Sequence, residues 1–352
     1  MNNPFIISFG KKPSQYISRI NLSEEIIEDF NSDNPSSQAY MLVGVRGVGK
    51  TVMLSSISKT LKEQPGWIVM ELNPTRDLLE SFAAKLYALP EMNSLFIEAK
   101  LDLSLLGIGI SIDKGIKISD IEQAITSMLE ITTKKNKKIL ITIDEVTVNQ
   151  YMREFASAFQ IIIRNDFPLF MIMSGLFDNI NSLQNDKSLT FLYRTPKIAL
   201  SALNISAIVN TYQRVFSAKA EDAKYMAQLT NGYPFAFQVL GHLVWKYREE
   251  NPDYNVKEIC DEVLNEYDQI LQEYVYEKIW NEMSAKEREI VACACKEDSI
   301  KVKTIRDILG YDSNSFTVYR NRLIKKGILT STGYGTLSVF LPRFDAFVVN
   351  MF

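Results

Sequence analysis

Residues Gly44–Thr51 have the types and spacing of a loop that binds phosphate. Their sequence, GVRGVGKT, fits the pattern G-x-x-x-x-G-K-[ST] and stands between an apolar run and a stretch of helical spacing, a context that argues against a chance glycine-rich turn. Backbone N–H groups of such a loop cradle phosphate oxygens, while Lys50 would neutralise the β- and γ-phosphates and Thr51 would ligate Mg²⁺. The pattern therefore predicts ATP and Mg²⁺ as cofactors. The predicted nucleotide contacts in this loop are Gly44, Arg46, Gly47, Val48, Gly49, Lys50, Thr51 and Val52.

Two adjacent carboxylates follow another apolar run. Ile139–Ile143 has the pattern of a buried strand, and Asp144 and Glu145 come directly after it. At the carboxyl end of a strand, Asp144 would lie beside the phosphate loop and hold the Mg²⁺ hydration shell, and Glu145 would orient and activate the attacking water. Alone, such a pair is typical of solvated surface. Together with the phosphate loop it predicts ATP hydrolysis.

Two further residues are candidates for catalysis, each with an equally simple structural explanation. If the strand that ends at Ser174 lies between the other two, its hydroxyl faces the γ-phosphate; the alternative is a small residue at a strand-to-helix turn. Arg194, just before a weaker fifth strand, would reach the nucleotide of a neighbouring subunit as an arginine finger. The alternative is a solvated or salt-bridged surface arginine.

Tyr233 and Pro234 mark the start of a helix beyond the predicted sheet. Proline is favoured at the first positions of a helix, and Gly232 precedes the pair. A helical lid that begins here would lie over the adenine or ribose. A plain loop between helices is the alternative.

The composition excludes several other kinds of site. The chain has 352 residues, with 39 Lys+Arg, 42 Asp+Glu, one His and three Cys. A single histidine, His242, argues against a His-rich metal site or a His–Cys nucleophile pair. An odd number of cysteines argues against a disulfide framework, and no run approaches the roughly 18 apolar residues that a membrane span requires. Without a signal-peptide pattern at the start, we expect a cytoplasmic protein that does not engage a membrane.

Strand and helix patterns alternate over the first 201 residues and must position the site. Apolar runs predict five strands, with helical spacing between them. This alternation predicts an α/β fold, a parallel sheet with helices on both faces. With the phosphate loop Gly44–Thr51, this arrangement resembles the P-loop NTPase fold. The strand predictions are Tyr40–Val43, Trp67–Leu72, Ile139–Ile143, Leu169–Ser174 and Lys197–Leu200. Residues 101–118 interrupt the rhythm with a turn signal at Asp113-Lys114-Gly115, which predicts an inserted hairpin that covers a sheet edge or a helix, or serves a partner.

Helical patterns dominate the rest of the chain. Residues 202–283 are predicted to form a helical lid, and residues 284–352 contain three short helical segments followed by a hairpin around Gly333-Tyr334-Gly335. Three helices and a terminal hairpin are the order of a winged helix. The predicted domains are therefore a P-loop core over residues 1–201, a lid over 202–283 and a winged helix over 284–352.

The net charge of −3 is unevenly distributed. Residues 286–352 hold eleven Lys+Arg and seven Asp+Glu, a net of +4, and the rest of the chain has a net of −7. A winged helix that binds double-stranded DNA inserts its third helix in the major groove, with basic side chains on phosphates. An excess of +4 is modest, and many such modules contact only protein, so both partners stay open. The candidate DNA contacts are Asn314, Ser315, Thr317, Arg320, Arg322, Lys325 and Lys326.

The phosphate loop, acidic strand end, sensor serine, lid and winged helix together resemble the AAA+ and STAND ATPases. Within these, the chain is similar to bacterial and archaeal ATPases related to origin-recognition initiators. The blocks that carry the resemblance are Phe9-Gly10, Gly44–Thr51, Ile141–Val146, Leu189–Phe191, Gly232–Phe235 and Val318–Ile324.

The resemblance implies ATP bound between the sheet domain and the lid, with Mg²⁺-dependent hydrolysis coupled to assembly or partner engagement. The chain departs from a typical AAA+ pattern because Gly232–Trp245 contains no arginine where a second sensor normally stands. Lys50 and Asp144 are also 94 positions apart. Both departures favour a switch that hydrolyses ATP slowly.

Two functions fit these observations. The first is an ATP-driven switch whose winged helix engages DNA or a DNA-associated partner. The second is a STAND-type signalling or scaffolding protein in which bound nucleotide sets the conformation and the winged helix contacts only protein, with self-association or a protein partner as the outcome. A metabolic kinase lacks support because no acceptor-substrate pocket is indicated.

Overall fold

The computed structural model describes residues 2–8, 13–109, 112, 115–349 and 351. The predicted block Phe9-Gly10 lies outside these residues. The chain divides into two compact units that interleave along the sequence. We call them the sheet unit, which comprises Ile20–Val43 and Met53–Ala199, and the helical unit, which comprises Met1–Arg19, Gly44–Val52 and Leu200–Phe352. The predicted phosphate loop belongs to the helical unit, and the predicted acidic pair belongs to the sheet unit.

Strands and helices alternate through the first 199 residues, as predicted. The elements are, in chain order, α1 (Ile20–Asn31), β1 (Ala39–Val43), α2 (Lys50–Lys62), β2 (Trp67–Leu72), α3 (Leu78–Tyr87), α4 (Pro90–Glu98), β3 (Leu101–Asp102), β4 (Ile116–Lys117), α5 (Ile121–Lys134), β5 (Lys138–Ile143), α6 (Gln150–Arg164), β6 (Leu169–Gly175), α7 (Phe177–Gln184) and β7 (Lys197–Ala199). Single 3₁₀ turns span Ser104–Leu106 and Thr190–Arg194.

Five strands form one parallel sheet in the order β2-β5-β6-β1-β7. All residues of β1 and β6, and Ile139–Ile143 of β5, are buried. Such continuous apolar strands are typical of a parallel sheet whose two faces are both covered. The core formed around them includes Phe82, Phe155 and Phe159 from the flanking helices. The predicted α/β fold with a five-stranded parallel sheet is therefore confirmed.

Two short strands in the described part of the segment 101–118 pair in parallel, whereas the predicted hairpin would pair in the antiparallel direction. These strands, β3 and β4, place Leu101 opposite Ile116. The carboxylate of Asp102, which is fully buried, accepts hydrogen bonds from the N–H and hydroxyl of Ser104 and from the N–H of Ile112. A buried carboxylate needs such donors, and these hydrogen bonds hold Ser104 and Ile112 next to Asp102. Most of the predicted turn, residues 113–114, lies outside the described part of the chain.

The rest of the helical unit consists of helices and a small sheet. Its elements are α8 (Ile205–Phe216), α9 (Ala220–Thr230), α10 (Pro234–Glu250), α11 (Val256–Leu271), a π-helical turn (Gln272–Tyr276), α12 (Glu277–Asn281), α13 (Ala285–Ala294), β8 (Ile300–Lys301), α14 (Val302–Leu309), α15 (Ser313–Lys325), β9 (Leu329–Gly333), β10 (Thr336–Val339) and α16 (Phe344–Val349). β8, β10 and β9 form an antiparallel sheet in that order. We refer to residues 284–352 as the carboxyl-terminal module.

No helix formed by the described residues is long and apolar enough to cross a membrane.

Candidate functional site

The phosphate loop connects a buried strand to a helix, as its sequence pattern requires. β1 ends at Val43, and α2 begins at Lys50. Gly47 and Gly49 have φ angles of 71° and 92°, in the region that glycine adopts without the cost imposed by a side chain. Positive φ at alternate residues turns successive N–H groups towards one side, which makes a concave site for anions. The local backbone therefore suits the predicted role.

The lysine of this loop lies against the loop's own backbone. Nζ of Lys50 donates hydrogen bonds to the carbonyl oxygens of Gly44 and Val45, at 2.8 and 3.1 Å. Thr51 and Val52 follow in the first turn of α2. The ammonium group is thus held at the loop, where a bound phosphate would need a positive charge.

Tyr233 and Pro234, predicted as nucleotide contacts, lie at the tip of the same loop. The hydroxyl of Tyr233 donates to the carbonyl oxygen of Arg46 at 2.5 Å. Burial raises the pKa of Tyr233 well above its ordinary value, so the hydroxyl stays protonated and acts as a donor. The next residue after Pro234, Phe235, donates its N–H to the carbonyl oxygen of Gly47 at 3.2 Å. The start of α10 is therefore hydrogen-bonded to the backbone of the phosphate loop.

Asp144 and Ser174 meet at the carboxyl edge of the sheet. β5 and β6 are neighbours, with Ile143 opposite Met173, so the residues that follow are adjacent. The buried hydroxyl of Ser174 donates to Oδ1 of Asp144. β6 lies between β5 and β1, which is the condition on which the sensor hypothesis for Ser174 depends. The sheet unit thus brings the two predicted polar residues into direct contact.

Glu145 has a backbone conformation that is uncommon for a residue with a side chain. Its φ angle is 52°, in the left-handed region, which costs an L-residue roughly 1–2 kcal/mol. Its N–H donates to Oδ1 of Asp144 at 3.0 Å, and its side chain is exposed. The N–H of Val146 donates to the carbonyl oxygen of Ser174 and attaches this turn to β6. Strain of this kind concentrates at functional sites, and here it directs a carboxylate out of the strand end.

Arg194 stands apart from these residues in an exposed position. It ends the 3₁₀ turn Thr190–Arg194, next to Tyr193, which is also exposed. Both precede β7, an edge strand of the sheet. Its exposure leaves the predicted role towards a neighbouring subunit open.

The candidate DNA contacts on α15 and directly after it fall into two groups. Asn314, Ser315, Thr317, Arg322 and Lys325 are exposed. Lys326 is instead nearly buried and places Nζ 2.8 Å from Oε1 of Glu287, whose side chain is 1% exposed.

Two arginines of α15 are also partly engaged in the protein. Nε of Arg322 lies 3.5 Å from Oε1 of Glu287, and Nε of Arg320 is buried without a hydrogen-bond partner among the described residues. Lys326 and Arg322 therefore neutralise an internal carboxylate, and a count of basic residues overstates the charge available to DNA.

Two charged residues near the phosphate loop carry no sequence signal. Nη2 of Arg19 donates to the carbonyl oxygen of Ser201 at 2.6 Å, and its Nη1 would lie 3.4 Å from a Cβ placed on Gly49. Burial lowers the pKa of Arg19. Glu282 forms an ion pair with Arg46 of the loop. Both partners are distant in sequence, so no local pattern identifies them.

Comparisons with known proteins identify the fold. A family model described as a domain of unknown function (DUF8462) matches residues 273–348, and no curated protein sequence matches the chain. The ORC2 protein of Aeropyrum pernix, solved in ADPNP–ADP complexes, is 12% identical to this chain, with a TM-score of 0.60 over 98% of this chain and 96% of that one.

Two other solved structures are similar over comparable lengths. Cdc6p from Pyrobaculum aerophilum is 14% identical over 98% of this chain and 96% of that one, with a TM-score of 0.48. The Aeropyrum pernix ORC1 protein, solved in complex with DNA, is 12% identical over 94% and 89%, with a TM-score of 0.45. From the match to the Aeropyrum pernix ORC2 protein alone, we conclude that the chain has the fold of that protein, in agreement with the AAA+-like fold that the resemblance implies.

Proposed function

We propose that this protein is a nucleotide-dependent switch that binds ATP and hydrolyses it slowly. The observation that carries the proposal is the contact between Ser174 and Asp144 at neighbouring strand ends, in a sheet whose strand β1 leads directly into the phosphate loop. The phosphate-loop pattern and the polar residues at the strand ends are two independent features that support this proposal. The Aeropyrum pernix ORC2 protein, which shares the fold, was solved with ADPNP and ADP.

The residues present suit Mg²⁺. Thr51 would contribute a hydroxyl oxygen and Asp144 a carboxylate oxygen, and Mg²⁺ prefers such hard oxygen ligands. When bound, Mg²⁺ would neutralise charge on the phosphate oxygens. Lys50 would add a second positive charge at the phosphates, next to the loop carbonyls that hold it now.

Hydrolysis would depend on the residues at the strand end. Glu145, exposed and held in a left-handed conformation, would accept a proton from the attacking water. Ser174 would donate its hydroxyl near the γ-phosphate, or hold Asp144 in place. No arginine in Gly232–Trp245 supplies a second sensor, so we propose slow turnover in keeping with a switch.

Two substitutions test this proposal. Lys50→Ala should lose most of its affinity for ATP in a fluorescence titration, because a buried phosphate charge loses its counter-charge. Glu145→Gln should keep that affinity and lose turnover, since an amide does not accept the proton. Retention of full affinity by Lys50→Ala would refute the site, and unchanged turnover in Glu145→Gln would remove Glu145 from the mechanism.

A second candidate function, a STAND-type scaffold, is favoured by a specific observation. Lys326 and Arg322 pair with Glu287 inside the carboxyl-terminal module, which reduces the charge that α15 would present to DNA. If residues 284–352 form a winged helix that reads DNA, the exposed basic residues of α15, Arg322 and Lys325, would contact phosphate.

Matched substitutions of neighbouring lysines separate the two candidates. In the switch that engages DNA, Lys325→Gln weakens binding to duplex DNA and reduces its salt dependence, while Lys326→Gln chiefly lowers the unfolding temperature. In the scaffold, neither the wild-type protein nor either variant binds duplex DNA at 50 mM salt. A fluorescence-anisotropy titration with duplex DNA therefore distinguishes the switch that engages DNA from the scaffold.

A further inference from the structure

The tip of the phosphate loop is attached by a side chain to the residue that precedes the carboxyl-terminal module. Nε and Nη2 of Arg46 both donate to Oε1 of Glu282, at 3.2 and 2.7 Å. Glu282 follows α12 directly, two residues before Ser284, the N-cap of α13. The guanidinium of a residue inside the phosphate-binding pattern is thus occupied by a carboxylate of the protein itself.

A residue of the module itself, Gly327, also lies near this loop. Gly327, just after α15, lies against Val45, and a Cβ placed on Gly327 would be 3.7 Å from Cβ and the backbone nitrogen of Val45. Val45 is buried. Of two consecutive loop residues, Val45 therefore lies near Gly327 of the module, and Arg46 pairs with Glu282, two residues before the module.

The ion pair between Arg46 and Glu282 is placed so that an anion can compete with Glu282 for the guanidinium of Arg46. The side chains of Arg46 and Glu282 are 31% and 38% exposed, so the pair is accessible to solvent and to ligand. The backbone of Arg46 is held separately, through its carbonyl oxygen, by Tyr233. Release of the guanidinium would therefore leave the loop backbone attached while it frees Glu282.

We propose that Glu282 is a positioning residue for Arg46 of the phosphate loop, and that the phosphates of a bound nucleotide compete with Glu282 for Arg46. Nucleotide binding then releases the attachment between the loop and the segment that leads into the carboxyl-terminal module. The inference rests on the proposed nucleotide-binding function and adds to it a physical link between the loop and the module.

The first measurement is nucleotide affinity. Glu282→Gln removes the competing charge at nearly constant shape, so a fluorescent ATP analogue should bind about two- to fivefold more tightly, the range expected for a half-exposed ion pair. The gain should shrink in 1 M salt, which screens such pairs. In an Arg46→Gln background, Glu282→Gln should have no further effect, because paired residues are not additive.

Glu277→Gln is the matched control. Glu277 is an exposed acid of α12, five residues earlier, and accepts a hydrogen bond from Gln272 rather than from the loop. This variant makes the same change in net charge. An equal gain in affinity from Glu277→Gln would show that only net charge matters and would overturn the proposal.

The second measurement is amide hydrogen exchange over residues 283–288. ATP should accelerate exchange in the wild-type protein, while Glu282→Gln without nucleotide should already exchange at the accelerated rate. Unchanged or slower exchange on nucleotide binding would overturn the proposal. Binding of ATP by the wild-type protein without a specific gain in Glu282→Gln overturns this inference alone, whereas a wild-type protein that binds no ATP overturns the proposed function as well.

Discussion

Gly47 shows how closely the phosphate loop and the start of α10 fit together. A Cβ at this position would overlap the hydroxyl of Tyr233 and lie 2.9 Å from its Cζ and 3.0 Å from Cβ of Phe235. The φ angle of 71° independently disfavours a side chain. The glycine that the phosphate pattern requires is therefore required a second time, by a tyrosine more than 180 residues away.

We expect Gly47→Ala to destabilise the protein and to abolish ATP binding. The left-handed backbone costs roughly 1–2 kcal/mol, and displacement of Tyr233 leaves a buried hydroxyl unpaired at a further cost of about 1–3 kcal/mol. Gly310→Ala is the matched control, because Gly310 has a φ of 68° and open space around it. Thermal unfolding should show a clearly larger loss for Gly47→Ala; equal losses would mean that the contact with Tyr233 contributes nothing.

The sequence predicts the chemical groups of the site better than their partners. Lys50 and Asp144 belong to local patterns that indicate their chemistry, and Ser174 ends an apolar run; the structure places each of them at a loop or at the end of a strand. Arg19 and Glu282 have no such pattern, because their relation to the loop arises from packing between segments far apart in the chain. Local periodicity does not contain that information.

At the scale of elements, α13 and α15 are joined by one buried carboxylate. Glu287 completes the capping box of α13 with Ser284 and pairs with Lys326 just beyond α15. Burial alone would raise the pKa of Glu287, but hydrogen bonds from Lys326 and Ser284 outweigh it and hold the pKa below its ordinary value of 4.5. The charged carboxylate therefore stabilises the folded carboxyl-terminal module.

The stability of the module should consequently depend on pH. A lowered folded-state pKa means that the unfolded chain binds more protons, so this contribution is present above pH 4.5 and is lost as pH falls through the lowered pKa. Glu287→Gln should lower stability at pH 7 by roughly 3 kcal/mol and flatten the acid limb of the unfolding temperature plotted against pH. Exposed Glu297→Gln is the control and should leave that limb unchanged; a parallel acid limb in Glu287→Gln would contradict the assignment.

Hydrophobic periodicity and turn residues predict most elements, and each difference from the structure has an identifiable cause. β2 begins and ends at the predicted residues, Trp67 and Leu72. Pro90 is the first residue of α4, a position that suits proline because its missing N–H would have no partner within the helix. β8 is only two residues long and depends on pairing with β10, which no local pattern reports.

At the scale of the whole molecule, the first residues of the chain belong with segments that follow them by more than 200 positions. Phe5 is buried and packs against Tyr212, Phe216 and Phe237. Nδ2 of Asn3 donates to the carbonyl oxygen of His242, so the chain's single histidine takes part in this packing. Long-range contacts of this kind determine which segments form the helical unit, and composition does not disclose them.

The substitution Gly241→Ala tests this long-range packing, because the sign of its effect on stability should depend on the ring of Phe5. Gly241 lies inside α10, where alanine is favoured over glycine by about 1 kcal/mol, yet a Cβ there would lie 2.5 Å from the ring of Phe5. In the wild-type protein we therefore expect Gly241→Ala to destabilise by roughly 1–3 kcal/mol through overpacking.

Removal of the ring should reverse that effect. Phe5→Ala alone should cost about 3–5 kcal/mol, because a buried aromatic side chain leaves a cavity. In that background the new methyl group of Gly241→Ala meets open space, so helix propensity and cavity filling make the same substitution stabilising. Chemical denaturation of the wild-type protein, both single variants and the double variant measures the four corners of the cycle. If Gly241→Ala has the same sign in both backgrounds, Phe5 is not packed on α10, and the amino-terminal segment does not belong to the helical unit.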